Sequence, residues 1–324
     1  MIFNDLKSSL PTIKLSGKQK SKKDEGSIEI DPNQLLAENG LIGEKLIQQG
    51  HSSCVISGFY HQTMPAFFEI IYRENESAEE NQLMILKSLN GQKHIIELYD
   101  NILKHEYAIF IFKRVEAIPA SKMITKSLTL DNLRVLLRGV LEALEEAHRI
   151  DIVHRDIRLE NIMVKPNFEE VYLTGWDCAT KISENMNSSI GSISARSPEM
   201  LMGYNNYKKK GDIWAFGVLI IYILSDGRIP WKSETSKETL IEMAAYFGAQ
   251  NILDLENTLH LHCGVKSLKK HVDDMIVPLQ SSFAPSHADL DNEDLMNLIH
   301  KCFALDYRLR PNVSDLLDHA FFKS

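Results

Sequence analysis

Excess positive charge, paired cysteines and long apolar runs are all missing from this chain of 324 residues. Asp and Glu outnumber Lys and Arg by 44 to 36, and the formal net charge of −8 argues against a general nucleic-acid binder. The four cysteines, Cys54, Cys178, Cys263 and Cys302, have no paired spacing. A disulfide framework is therefore not expected, and a reducing compartment, cytoplasmic or nuclear, is the default. The longest apolar run, Trp214 to Leu224, is about half the length of a membrane helix. Near the N-terminus, Asp5 and Lys7 stand where a secretory signal would need an apolar core. What remains is a globular chain long enough for one large domain or two lobes, with neither membrane nor nucleic acid expected among its partners.

Residues 1–38 read as a tail. The stretch from Lys18 to Gly26 is charged, lacks a hydrophobic period and cannot bury a core. Its lysines read as solvated, with a nuclear signal or a patch for an acidic partner as alternatives. Residues 39–115 read as a small β-rich lobe. Val55-Ile56, Phe67 to Ile71 and Ala108 to Phe112 are short apolar runs bounded by polar residues. One helix interrupts them, with Ser77-Ala-Glu-Glu80 as a capping box ahead of Gln82 to Leu89. Residues 116–324 read as a larger helical lobe. Leu133, Leu136, Leu137, Val140, Leu141 and Leu144 make one buried helix face, and Ile213 to Leu224 is apolar all round, as a central buried helix would be. Leu295 to Cys302 and Val313 to Phe321 predict two further amphipathic helices. The fold class is α+β, with a cleft between lobes as the usual place for a small ligand.

The decisive stretch is His154-Arg155-Asp156-Ile-Arg158-Leu-Glu-Asn161-Ile-Met163. It resembles the catalytic loop of the eukaryotic protein kinases, H-R-D-x-x-x-x-N. In that chemistry an Asp accepts the substrate hydroxyl's proton, and an Asn five residues later reaches a metal on the phosphates. Four more landmarks follow in order. Gly175-Trp176-Asp177 comes after the strand Val171-Tyr-Leu173, where the family places D-F-G, and Ser197-Pro198-Glu199 stands at A-P-E. Gly211-Asp212-Ile-Trp214 opens the central helix, and Asp306 to Pro311 resembles D-x-x-x-R-P. The resemblance implies a two-lobed kinase fold, a buried Glu199–Arg310 pair, and an Asp212 that holds the catalytic-loop backbone. Within the family the chain is similar to casein kinase 2 catalytic subunits, through Asn90 to Leu98, Asn161-Ile-Met163, Trp176, and Thr239 to Leu255. ATP, magnesium and a protein substrate or partner are what that resemblance implies.

Four departures fall on ATP and its metal. The implied cleft positions are Gly50, Val55, Phe67, Glu69, Gln82, Phe112 and Met163. Gln48-Gln-Gly50-His-Ser-Ser53-Cys-Val55 keeps the middle glycine alone of three that let a backbone approach phosphates. Glu69 stands where the family has a phosphate-binding lysine, and Phe67 replaces the small residue that roofs the adenine. One such lysine contact is worth about 4 kcal/mol near 4 Å at an effective dielectric of ~20, and a carboxylate reverses its sign. Gln82 replaces the lysine's helix glutamate, and the Glu69–Gln82 pair is expected to hydrogen-bond without a charge pair. Gly175 takes the place of the metal-binding carboxylate, leaving Asn161 with Asp177 as the remaining metal candidates.

Several residues have two readings. Asp156 is a catalytic base or a packing residue of its loop. Arg158 holds a phosphate or shapes the loop, and Arg196 reads an acidic ligand or is solvated. Glu74 to Glu80 is acidic where casein kinase 2 is basic, which removes the argument for acidic substrates. His260, His262 and Cys263 suggest a metal cluster but read better as an ordinary loop, and Lys45 is a substitute lysine with nothing in the sequence to support it. The chain thus reads as a pseudokinase, a binding or regulatory module. The alternative is an active Ser/Thr kinase with Asp156 as base.

Overall fold

The computed structural model describes residues 13–15, 28–50, 53–73, 76–123, 128–261, 265–271, 274–284 and 292–323. They divide into two compact units, residues 1–91 with 96–116 and residues 92–95 with 117–324. The first is a β-sheet lobe and the second a helical lobe, the α+β organisation expected from the sequence.

In the first unit, strands β1 (Ile13–Leu15) and β2 (Ile28–Ile30) pair antiparallel on either side of the lysine-rich stretch, which lies outside the described residues. Helix α1 (Pro32–Glu38) follows. Its start is written locally: the Asp31 carboxylate accepts from Asn33 N at 2.9 Å, and Pro32 occupies the first turn where no N–H is needed. Five strands then form one antiparallel sheet: β3 (Ile42–Gln49), β4 (Ser53–Tyr60), β5 (Met64–Tyr72), β6 (Leu98–Leu103) and β7 (Tyr107–Lys113), in the order β3-β4-β5-β7-β6. Helix α2 (Glu76–Leu89) connects β5 to β6.

Strand alternation gives the sheet two different faces. Cys54, Ile56, Ala66, Phe68, Ile70, Ile109 and Ile111 share one, and Leu35 and Leu36 of α1 pack on it. Residues 32–38, read above as the end of a tail, are therefore core-forming. The opposite face carries Val55, Ser57, Phe67, Glu69, Phe110 and Phe112, cross-paired by the register of β4, β5 and β7. Ser77 is not the N-cap: α2 opens at Glu76, which leaves Ser77 inside the first turn.

In the second unit, helix α3 (Leu130–Arg149) is capped by the Thr129 hydroxyl, which accepts from Asn132 N at 3.2 Å. Its buried face contains all six predicted leucine and valine positions, together with His148. Short strands follow. β9 (Ile152–Val153) pairs with β12 (Thr180–Lys181), and β10 (Ile162–Val164) lies between β8 (Ile118–Pro119) and β11 (Val171–Leu173). Helices α4 (Pro198–Leu201), α5 (Lys210–Leu224), α6 (Ser236–Phe247), α7 (Ala249–Thr258), α8 (Glu293–Cys302) and α9 (Val313–Leu317) complete the unit. From Gly211 to Leu224 every residue of α5 except Tyr222 is buried, as its uniform apolarity predicts. Trp214 anchors it, with the Phe303 ring 4.8 Å and the Phe247 ring 5.3 Å away.

The helix expected from Val313 to Phe321 is broken. The His319 imidazole takes the Phe321 N–H at 3.3 Å, and a tight 3-10 turn over Ala320–Phe322 replaces the last helical turn. Arg134 and Arg138 of α3 donate to the carbonyls of Phe321 and Phe322 and lie over their rings. Among the described residues no helix is long and apolar enough to cross a membrane.

Candidate functional site

The candidate residues occur in both units, and each group is placed by its own local structure. In the second unit, β9 delivers His154-Arg155-Asp156. Asp212, the third residue of α5, holds this loop from behind. Its Oδ2 accepts from His154 N at 2.9 Å and its Oδ1 from Arg155 N at 2.8 Å, while His148 Nε2 lies 2.8 Å from Oδ2. Burial raises the Asp212 carboxyl, but the His148 bond and the neighbouring positive and N–H groups outweigh it and hold the group below its ordinary value. Arg155, at φ 68°, turns its side chain away and donates to Cys178 O at 2.6 Å. The His154 ring bonds Thr174 O at 2.9 Å and lies against Trp176, ring centroids 4.5 Å apart.

Asp156 is held on both oxygens. Oδ1 accepts from Ser192 N at 3.0 Å and Ser192 Oγ at 2.8 Å, and Oδ2 accepts from Asn161 Nδ2 at 3.0 Å. Arg158 bonds Glu160 at 2.8 Å and reaches Ser192 Oγ at 3.2 Å, so its charge is shared between a carboxylate and the segment facing Asp156. That segment is pinned by Gly191, at φ 77°, where a β-carbon would lie 2.0 Å from Arg155 O. Arg196 pins it again with donations to the carbonyls of Ser189, Ile190 and Gly191. Arg196 is thus a half-buried loop brace, which corrects the solvated reading.

The metal position is shaped by Gly175. It is left-handed, at φ 73°, and a β-carbon there would stand 2.4 to 2.7 Å from three atoms of the Asn161 amide. The Asn161 amide meanwhile donates to Asp156 O at 2.9 Å as well as to the carboxylate. Asp177 sits in a 3-10 turn over Trp176–Cys178 and accepts from Cys178 Sγ. Its carboxylate reaches the surface, yet the protein packed behind it and the Asp156 charge raise its carboxyl, against the lowering from His154. Among the described residues no three His, Cys, Asp or Glu side chains are grouped to hold a metal. Magnesium relies on carboxylate oxygens, and of the two metal candidates only Asp177 offers one, while the Asn161 amide is turned onto Asp156. His260 is exposed, and His262 and Cys263 lie outside the described residues. Met163 lies on β10, paired with Tyr172 and Pro119.

In the first unit, Glu69 of β5 and Gln82 of α2 meet as expected, with Gln82 Nε2 donating to Glu69 Oε2 at 3.2 Å. Gln82 is buried. Burial and the Glu69 charge together push the Cys54 thiol up to about 12. Phe67 is buried opposite Phe112 on the same sheet face. Gly50 and Val55 flank the β3–β4 tip, where Gly50 N donates to Ser53 O at 2.7 Å, and Lys45 is exposed. The acidic run is not wholly a surface, because Glu79 is buried against Arg73.

The structural pair is complete. Arg310 Nη1 and Nη2 donate to the two Glu199 oxygens at 2.6 and 2.7 Å, with neither side chain exposed. Removing one partner of such a pair typically costs about 3–5 kcal/mol.

The sequence profile of the protein kinase domain matches residues 42–322. The chain belongs to the protein kinase family. Casein kinase II subunit alpha' of Saccharomyces cerevisiae is 24% identical over 264 residues, covering 80% of this chain and 75% of that protein. A probable casein kinase II subunit alpha homolog of Encephalitozoon cuniculi is 25% identical over 247 residues, covering 75% and 76%. A probable serine/threonine-protein kinase of Dictyostelium discoideum is 23% identical over 289 residues, covering 86% of this chain and 46% of its own length.

Three groups that support these residues are not marked by any motif of the family. Ser192 lies far from Asp156 in sequence, and only the fold of its segment brings it there. His148 could have been found, because it is a polar residue on the otherwise apolar face of α3. The Arg73–Glu79 pair follows no helical or strand period.

Proposed function

We propose that this kinase-family chain is a binding or regulatory module for a protein partner, impaired in phosphoryl transfer. The observation that carries the reading is the contact between Gly175 and Asn161. The carboxylate that would hold a metal is missing, and Asn161, one of the two remaining ligand candidates, is turned onto Asp156. Glu69 supports it, because a carboxylate at that position repels phosphates and Gln82 engages it as a neutral partner. Phosphoryl transfer relies chiefly on positioning and on cations against the phosphate oxygens, so losing lysine and carboxylate together strikes its main requirement.

A second reading is an active Ser/Thr kinase with Asp156 as base. The catalytic loop favours it: Asp212 orders the backbone, and Arg158 and Ser192 surround Asp156. The two are separated by a radiolabelled-ATP assay on casein-type and basic protein substrates, with wild type and Asp156→Ala compared. The proposal expects no incorporation above the Asp156→Ala background. Robust turnover that Asp156→Ala abolishes overturns it.

A further inference from the structure

We infer that His319 is a pH-sensitive latch: its neutral imidazole holds the turn over Ala320–Phe322 against helix α3, and protonation releases that turn. The ring stands just after α9 and is 8% exposed. Each nitrogen faces a partner of fixed chemistry. Nδ1 lies 3.3 Å from Phe321 N, a backbone N–H that can only donate, so Nδ1 presents a lone pair. A neutral ring with Nδ1 bare has its proton on Nε2, which lies 2.9 Å from Asn297 Oδ1 of α8 and donates to it. Only the neutral ring satisfies both contacts. A proton added at Nδ1 points a second N–H at the one from Phe321 and puts a positive charge into a nearly closed site.

The charges around the ring do not offset this. Burial, and then Lys301 of α8, hold the imidazole below its ordinary 6.5, against the opposing pull of Asp294 on the same helix. The groups of α3 that touch the turn are the cations Arg134 and Arg138. On the near side, Asp318 is paired with Lys323 at 3.5 Å, and Asp315 of α9 accepts from Asn312 N. The turn is what α3 grips. Arg134 Nε donates to Phe321 O at 3.0 Å and Arg138 Nη2 to Phe322 O at 2.9 Å, with the guanidiniums 5.4 and 5.2 Å from the ring centres. The N–H that His319 accepts and the carbonyl that Arg134 holds belong to one residue, so disturbing the first disturbs the second. The latch uses no residue of the catalytic loop or the phosphate site, and the inference does not rest on the proposed function.

Two measurements on the full chain test it. The first is long-range proton–nitrogen NMR of the histidine rings, with His319 assigned by backbone-to-ring correlation. The expected result is a ring protonated on Nε2 alone at pH 7.5, with a titration midpoint below 6.5. The second is hydrogen exchange read by mass spectrometry at pH 7.5 and 5.5, corrected for the intrinsic pH dependence of exchange. It compares a peptide from Asp318 onward with peptides of α5. An open turn in which His319 titrates normally gains about tenfold in population at pH 5.5 over a closed turn that stays neutral. Turn protection should therefore fall several-fold, up to about tenfold, while α5 is unchanged. His319→Asn offers an oxygen to the Phe321 N–H and does not titrate, so its turn should exchange equally at both pH values. A ring protonated on Nδ1 at pH 7.5, a wild-type turn equally protected at both pH values, or an equal acid loss in His319→Asn overturns the inference. The NMR result needs no variant and decides even if His319→Asn fails to fold.

Discussion

Adding a β-carbon at residue 175 probes the closed arrangement beside Asp156 directly. In Gly175→Ala two costs arise. A non-glycine residue held at φ 73° loses about 1–2 kcal/mol to backbone strain. The new carbon also falls 2.4 to 2.7 Å from the Asn161 amide, which must swing away and give up its bonds to Asp156 O and Oδ2. A hydrogen bond to a charged group is worth about 1.5–3 kcal/mol, so the full loss is roughly 3–5 kcal/mol. In an Asn161→Ala background the obstruction is gone and the strain alone remains. Urea unfolding followed by tryptophan fluorescence suits the measurement, because Trp176, Trp214 and Trp231 are all the tryptophans of the chain and all lie in the second unit. The difference between the two backgrounds should be about 2–3 kcal/mol. Equal costs in both, within about 0.5 kcal/mol, would refute the idea that Asn161 fills the space in front of Gly175.

Three further outcomes follow from the same geometry. Gln82→Glu places a second carboxylate within hydrogen-bond distance of Glu69, which raises the pKa of the pair; the first unit should lose a few kcal/mol at neutral pH and regain much of it near pH 5, whereas adding Glu69→Lys should restore stability throughout. Asp212 has a lowered folded-state pKa, so its stabilisation is fully present above its ordinary value of 3.8 and is lost as pH falls through the folded value; urea unfolding between about pH 3 and 5 should show a shallower acid decline in Asp212→Asn. Ser197 is fully buried with no partner for its hydroxyl among the described residues, so Ser197→Ala should stabilise by about 1 kcal/mol, and a loss of that size would show an unrecognised bond.

Much of the fold is written in periodic or motif-spaced residues. The α3 face and the uniformly apolar α5 follow from helical period, and the catalytic loop, Glu199 and Arg310 follow from motif spacing. The Glu69–Gln82 bond was legible because both positions departed from the kinase pattern together. Helix α1 was missed, although Asp31-Pro32 is a helix-start signal, because seven residues carry too little hydrophobic period to stand out from a tail. The break at His319 turns on one side chain competing for one N–H, which no apolar pattern records. Arg196 and Ser192 escaped for a different reason. Their partners are backbone atoms and a distant carboxylate, brought near by the path of residues 189–192 and not by any repeat.

The proposed impairment of the metal site is tested most directly by a thermal-shift titration of the full chain with ATP, once with magnesium and once with EDTA. A ligand at 100 times its dissociation constant adds about 2.7 kcal/mol, enough to move the transition by several degrees. The account predicts no magnesium-dependent rise at millimolar ATP. A rise that appears with magnesium and vanishes with EDTA would contradict it, because Asp177, Asn161 or Asp156 would then be holding a metal.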